Sequence, residues 1–244
     1  MAGRFFLRME FTLGAEAPAV PDLSDQFGAE IAERFGMRFH FSDVAEPKRI
    51  VVLVSRYEHC LLDLLWRGRR GELGGGEIVS VISNHEDLRA DVEAFGIPYH
   101  HVAVEKGRKP EAEEAILKLL AEAAPDVAVL ARYMQILSPE FLAKAPVPII
   151  NIHHSFLPAF VGADPYGQAK KRGVKLIGAT AHYVTEELDA GPIIEQGTNR
   201  VSHRDDVESL TRVGADIERL VLARAVRWHC EDRVVRDGNR TVVF

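Results

Sequence analysis

Two rhythms of hydrophobic and polar positions run along this chain, and one gives way to the other near residue 48. Before it, "RFFLRMEFTL" (4–13) and "MRFHFSDV" (37–44) alternate with period two and predict strands. Between them, "LSDQFGAEIAERFG" (23–36) predicts a short amphipathic helix with Ser24 as its N-cap. Pro18, Pro21 and Pro47 punctuate this segment, and Glu46-Pro47-Lys48 is the predicted linker. Beyond it the apolar runs "RIVVLVS", "EIVSVIS", "YHHVAV", "DVAVLAR" and "VPIINIH" are buried-type strands. Helical patterns such as "HCLLDLLWRGRRG" and "KPEAEEAILKLLAEAA" separate them. Apolar strands alternating with helices predict a mostly parallel sheet covered on both faces. After residue 176 the texture is hairpin-like, with "GATAHYV" and "PIIEQGTNRV" around a polar turn. A long helix over about 205–229 and a small hairpin at Asp237-Gly238 follow.

Composition narrows this picture a little. Hydrophobic residues make up 47% and charged residues 27% of the 244, which suits a soluble protein with a sizeable core. A net charge of −6 disfavours nucleic acid or an anionic membrane as the main partner. The two cysteines, Cys60 and Cys230, form no C-x-x-C pair and fit a reducing, cytoplasmic setting. No run approaches a membrane span, and "MAGRFFLRMEF" lacks the layout of a signal peptide.

The chemistry gathers at the end of the last parallel strand. Asn151 and His153 stand at i and i+2, so they face the same way, while His154 is expected to face the other. In open parallel sheets ligands bind at the carboxyl ends of the strands. An amide beside an imidazole there can grip a carbonyl oxygen as it becomes an oxyanion. A plain hydrogen-bonded strand end would use the same residues. Asp189, in the polar turn of "EELDAGPIIEQ", could orient a water or serve only as a turn former. The pairs His100-His101 and His153-His154 alternate across their strands, so neither is expected to chelate a metal.

The stretch "NIHHSFLPAFVGADPYGQAKKRGVKLIGATAHYVTEELDAGPIIEQ" (151–196) resembles the signature of the formyltransferase family that uses 10-formyltetrahydrofolate. The matching elements are Asn-x-His-x-Ser-x-Leu-Pro, a Gly-x-Thr-x-His strand (Gly178, Thr180, His182) and Asp-x-Gly-Pro-Ile-Ile-x-Gln. The resemblance implies a Rossmann-like α/β domain with a catalytic trio at Asn151, His153 and Asp189 and His182 in support. It also implies that "LARYMQILSPEFL" (130–142) lines the folate pocket through Arg132, Tyr133, Met134 and Leu137. The substrate is then a small-molecule folate, with no metal, prosthetic group, nucleic acid or membrane involved.

Members of that family pass the formyl group to different acceptors. A ribonucleotide phosphate needs a glycine-rich turn after the first strand, yet no glycine lies between Ser55 and Trp66. Arg56-Tyr57-Glu58 supplies bulk and a negative charge there instead, and "GELGGG" (71–76) precedes a strand. A tRNA acceptor calls for a basic surface and room for a further C-terminal domain, which this chain does not show. "SRYEHCLLDLLWR", "VISNHEDLR" and "FGIPYHHVAV" resemble the branch whose acceptor is water, so the likeness runs from about residue 49 to the C-terminus. His59, Cys60 and Asp63 then fall near the acceptor position, although a helix first turn with a buried cysteine is the reading preferred for them. Implied roles are a water positioned and deprotonated by Asp189, or protons relayed by it, and an oxyanion held by Asn151 and a protonated His153. Two rivals remain: a glycinamide ribonucleotide formyltransferase, and a silent folate-binding or amino-acid-sensing protein. Residues 1–46 resemble the second half of a ferredoxin-like ACT unit preceding a catalytic domain at 47–244. Half a sheet leaves edges open, so a homo-oligomer is expected.

Overall fold

The computed structural model describes residues 3–14, 16–159 and 164–244. The first segment departs from expectation. Among its described residues neither 4–13 nor 37–44 forms a strand. A strand needs a neighbour to take its backbone hydrogen bonds, and neither stretch has one. The helix starts earlier than predicted, as α1 (Val20–Phe27) with Ala19 at its N-cap and Pro21 in its first turn, so Ser24 lies inside it. A π-helical turn (Gly28–Ala32) carries it into α2 (Glu33–Phe35). Phe11, Phe27, Phe39 and Phe41 pack edge-to-face on one another, with Phe27 and Phe39 centroids 5.0 Å apart. The segment is tied to the end of the last long helix by Arg8 Nη2 donating to the Glu231 carbonyl (2.9 Å) and Ser42 Oγ donating to Asp232 (2.6 Å).

The apolar runs become strands as expected: β1 (Lys48–Val54), β2 (Gly76–Ser83), β3 (Tyr99–His101), β4 (Val127–Leu130) and β5 (Ile149–His153). They lie parallel in the order β3-β2-β1-β4-β5. Two antiparallel strands, β6 (Leu176–Tyr183) and β7 (Ile193–Arg200), extend the β5 side. Between strands run α3 (His59–Arg69), α4 (Arg89–Glu93), α5 (Lys109–Ala123), α6 (Pro139–Lys144) and α7 (Pro165–Arg172); α8 (Val207–Cys230) follows β7. The hairpin β8–β9 (Val234–Asp237, Arg240–Val243) turns at Gly238, as the sequence predicts.

Alternation along β1 explains the layers. Ile50, Val52 and Val54 join one core with Leu61 and Leu64 of α3 and Val221 and Leu222 of α8. Val51 and Leu53 face the other, with Ile116 and Leu120 of α5 and Phe141 of α6. Every other side chain of a buried strand serves one face, so helices must cover both. The result is the Rossmann-like α/β sheet, with mostly parallel strands, that the sequence predicts. Helix starts are capped by short polar side chains: Ser138 accepts from Phe141 N, Asp164 from Gly167 N, and Asp206 from Ser209 N. "GELGGG" lies at the start of β2, away from the carboxyl ends of the strands.

Gly214 lets α8 approach α7. A Cβ there would stand 1.9 Å from the Tyr166 hydroxyl oxygen, so the ring would have to move. Gly214→Ala is therefore expected to destabilise by about 1–3 kcal/mol. Thermal unfolding should show this as a melting point lower by roughly 2–4 °C per kcal/mol. An unchanged melting point would mean that the two helices separate freely.

Candidate active site

β5 ends where β6 begins to matter. Their antiparallel register sets Asn151 opposite His182 and His153 opposite Thr180. The turn that follows β6 then returns Asp189 to the same place. Its carboxylate stands with Oδ2 3.3 Å from His153 Nδ1 and Oδ1 3.8 Å from His182 Nε2. The three residues that the sequence proposes as a catalytic trio are thus brought together around His182.

Hydrogen bonding fixes the state of His182. Its Nδ1 lies 3.0 Å from the Tyr183 carbonyl, an acceptor only, so Nδ1 carries the proton and Nε2 the lone pair. Asn151 Nδ2, 3.2 Å away, donates to that lone pair. The amide is therefore oriented, and a second N–H of the same nitrogen remains for a ligand. Burial pushes the His182 imidazole below its ordinary pKa, against the opposing pull of the Tyr183 carbonyl and Asp189. The neutral form is the one that holds Asn151.

Asp189 is held in its ionised form. Burial pushes its carboxyl up, but the hydrogen bond and charge of His153, with His182 and His154, outweigh this and bring it below the usual carboxylate value. Its backbone is left-handed (φ 56°), a conformation that Asp tolerates in turns. The turn closes tightly: a Cβ on Gly191 would stand 1.8 Å from the Tyr183 carbonyl oxygen, so only glycine fits. His153 is buried, and its Nε2 has no hydrogen-bond partner among the described residues. A buried imidazole with one nitrogen on a carboxylate and the other open has the layout of a group that meets a substrate.

The remaining motif residues build a frame. Thr180 Oγ1 donates to the Ser155 carbonyl (2.9 Å) and accepts from Leu157 N (3.0 Å). Gln196 Nε2 donates to Thr180 Oγ1 (2.9 Å) and the Leu157 carbonyl (3.0 Å). These bonds clamp the chain leaving β5, so the threonine and glutamine of the motif hold His153 in place. Residues 160–163 of the motif lie outside the described residues.

His154 does not turn away as alternation predicts. β5 stops at His153, the pleat lapses, and the two rings lie 5.3 Å apart. His154 sits 6.1 Å from the Tyr166 ring, and burial together with the charge of Arg132 pushes its pKa down to about 4.

The proposed folate residues fall in two groups. Tyr133 and Leu137 are buried in the α5 layer, whereas Met134 is exposed. Ser55 takes up the local backbone: its N–H donates to the Arg132 carbonyl (3.3 Å), and its hydroxyl accepts from Met134 N (2.9 Å). The Arg132 side chain, by contrast, is buried between α8 and the loop before α3. Its Nε stands 3.5 Å from Glu218 Oε2, and its guanidinium carbon 4.7 Å from the Tyr57 ring centroid. Glu218 also takes His59 Nε2 (2.9 Å) and the Tyr166 hydroxyl (2.7 Å). Burial pushes the Glu218 carboxyl up, but His59, Arg132 and Tyr166 outweigh it and hold it below the usual range. Sequence reasoning missed Glu218 and Tyr166, because on their own helices they read as one more charge and one more aromatic.

His59, Cys60 and Glu218 present ligand atoms within 4.8 Å of one another. The group does not suit a cation: Glu218 already takes two hydrogen bonds and pairs with the Arg132 guanidinium, and burial raises the Cys60 thiol well above its ordinary pKa. Asp63 is engaged by Arg67 one helical turn on (2.7 Å).

Residues 48–226 match the family model described as formyl transferase. The chain belongs to that family. It is 55% identical over 242 residues to the formyltetrahydrofolate deformylase of Mycobacterium tuberculosis, covering 99% of this chain and 77% of that one. The Bacillus subtilis deformylase is 52% identical, over 99% of this chain and 80% of its own. Among solved structures, a deformylase from Pseudomonas syringae superposes with a TM-score of 0.89 at 54% identity, over 93% of this chain and 75% of that one. A glycinamide ribonucleotide transformylase from Symbiobacterium toebii gives 0.77 at 31% identity, over 86% of this chain and 99% of that one. The formyl transferase sheet is thus shared by both activities, and deformylases are the nearer of these relatives.

Two outcomes test the site. Asn151→Ala, His153→Ala and Asp189→Asn should each lower kcat by about 10²-fold or more with little change in folate binding, as expected for groups acting on developing charge. Near-normal turnover would remove that residue from the chemistry. The second is pH dependence. As pH falls through the lowered pKa of His182, its Nε2 takes a proton, Asn151 loses its acceptor, and kcat should fall. The acid limb should lie below about 6.5, the ordinary histidine value. His182→Gln keeps an acceptor that does not titrate and should move the limb lower; a limb that stays in place would belong to another group.

Proposed function

We propose that this chain hydrolyses 10-formyltetrahydrofolate to formate and tetrahydrofolate. The observation that carries the reading is the Asn151–His182–Asp189–His153 constellation on a chain 55% identical to a deformylase. The free N–H of Asn151 binds the formyl oxygen. A water oxygen attacks the formyl carbon, and Asp189, already ionised, receives the proton that leaves the water. Asn151 and His153 Nε2 hold the oxyanion, and the C–N bond then breaks as the proton held by Asp189 passes to the departing N10. Oxyanion stabilisation of this kind is commonly the largest single contribution to acyl transfer. The folate is substrate, and no metal or prosthetic group enters the reaction. Release of formate and tetrahydrofolate would place the activity in one-carbon metabolism and purine supply. The free, buried Cys60 and Cys230 suit a reducing cytoplasm.

The transferase alternative is weaker. Arg56 is exposed, Tyr57 stacks on Arg132, and Glu58 stands at the start of α3, so no glycine-rich amide cradle faces a phosphate. Formate release should therefore be the same with and without glycinamide ribonucleotide, and calorimetry should show no binding at millimolar concentration. Binding accompanied by formyl transfer to the amine would make the chain a transferase.

The amino-terminal segment supports a homo-oligomer. Phe5, Leu7, Met9 and Phe11 are 85%, 57%, 69% and 53% exposed, an apolar strip that water does not favour. We read the strip as covered by another copy of the chain. Light scattering should give a mass above 27.1 kDa, and deletion of residues 1–46 should lower it while the trio remains active. A full-length monomer would overturn this part of the reading.

A further inference from the structure

The strand order turns about at β1 and β4. β1 leads outward to β2 and β3, and β4 leads the other way to β5. In open α/β sheets this is where the loops part and a ligand crevice opens beyond the strand ends. Here the crevice holds a side chain of the protein itself. Leu53 pairs with Leu130, and Leu130 with Asn151. Past the ladder the register slips by one residue: Ala131 N–H still donates to the Leu53 carbonyl, but Ser55 N–H reaches the Arg132 carbonyl (3.3 Å), so the chain leaves the sheet at Arg132, in the loop that follows β4 between β1 and β5.

Arg132 is 8% exposed, in a loop where a long charged side chain would ordinarily reach water. Its backbone is left-handed (φ 63°), a conformation that suits glycine better. The guanidinium lies against Tyr57 from the loop after β1 and Glu218 from α8, and Glu218 is itself anchored by His59 and Tyr166. The side chain therefore spans the crevice from the β1 side to α8. Nε and Nη1 have no hydrogen-bond partner among the described residues, so capacity remains for a very small oxygen ligand.

We propose that Arg132 is a specificity-determining residue: it fills the space that a formyl-accepting amine would occupy and leaves room for water alone. This rests on the hydrolytic reading above and names the residue that enforces it. Without the side chain, an amine can attack the formyl carbon. The C–N bond to N10 breaks, a new amide C–N bond forms, and one amine proton passes to N10; no other reactant is needed.

The test uses substrate labelled with ¹³C in the formyl group, the full chain, and glycinamide as the amine. The readout is the ratio of N-formylglycinamide to formate. Arg132→Gly suits the left-handed backbone, and pairing it with Glu218→Gln avoids leaving a buried carboxylate unpaired. Wild type and Arg132→Met, which keeps the length of the side chain, should send all label to formate. Arg132→Gly/Glu218→Gln should raise the ratio at least tenfold. Glu218→Gln alone should leave it at the wild-type value, which assigns the effect to Arg132. A folded double variant that still gives formate alone would overturn the proposal, as would Arg132→Met with a ratio as high as the double variant. Should the double variant not fold, Tyr57→Ala, which removes only the stacking partner, must raise the ratio or the proposal fails. A wild type that releases no formate with or without glycinamide would instead refute the hydrolytic reading, a separate result.

Discussion

The antiparallel pairing of β6 onto β5 is the constraint from which the site follows. Five parallel strands could present Asn151 and His153 at an edge, but nothing would then hold them in one geometry. The reversed strand supplies His182 opposite Asn151 and Thr180 opposite His153, and its exit turn supplies Asp189. A slip of one residue in that register would turn His182 to the other face and separate all four groups. Gly191 matters for the same reason, since the turn can carry Asp189 back only where no Cβ meets the Tyr183 carbonyl.

Two ionic arrangements share this end of the sheet, and they are tuned for different work. Beside Asp189 stand the imidazoles of His153 and His182, side chains of a type that can both give and take a proton. Around Glu218 a tyrosine hydroxyl and His59 form hydrogen bonds, and the Arg132 guanidinium adds an ion pair. A guanidinium does not deprotonate, and burial raises the Tyr166 hydroxyl well above its ordinary pKa. The Glu218 group therefore positions side chains, while the Asp189 group can move a proton. His154 touches both: it lies beside the His153 ring and feels the charge of Arg132, which helps to keep it neutral.

Much of this was legible in the sequence, for identifiable reasons. β1 to β5 could be read because a strand buried on both faces must be continuously apolar. Asn151 and His153 drew notice as polar residues at the tip of such a strand, while Asp189 and His182 were legible only through the resemblance of residues 151–196 to the formyltransferase signature. The frame was harder to see. Thr180 and Gln196 act through bonds to the backbone at Ser155 and Leu157, contacts that sequence spacing does not announce. Residues 4–13 and 37–44 misled for a physical reason: alternation shows that a stretch could be a strand, but a ladder also needs a partner. Ser24 misled likewise, because Pro21 is compatible with the first turn and the helix began before the serine.

The comparison between water and an amine as acceptor turns on volume and charge more than on the reacting groups. The same amide, imidazole and carboxylate can stabilise the tetrahedral intermediate whichever nucleophile forms it, which agrees with a transformylase sharing this sheet at a TM-score of 0.77. What differs must lie where the nucleophile enters. Our proposal assigns that place to Arg132, a buried cation whose backbone is left-handed and whose Nε and Nη1 have no hydrogen-bond partner among the described residues, two costs that packing alone does not require. Features that cost stability and stand beside reacting groups are more readily understood as serving the reaction than the fold. On that proposal the acceptor is decided one strand away from the trio, by the residue that follows Ala131 after β4.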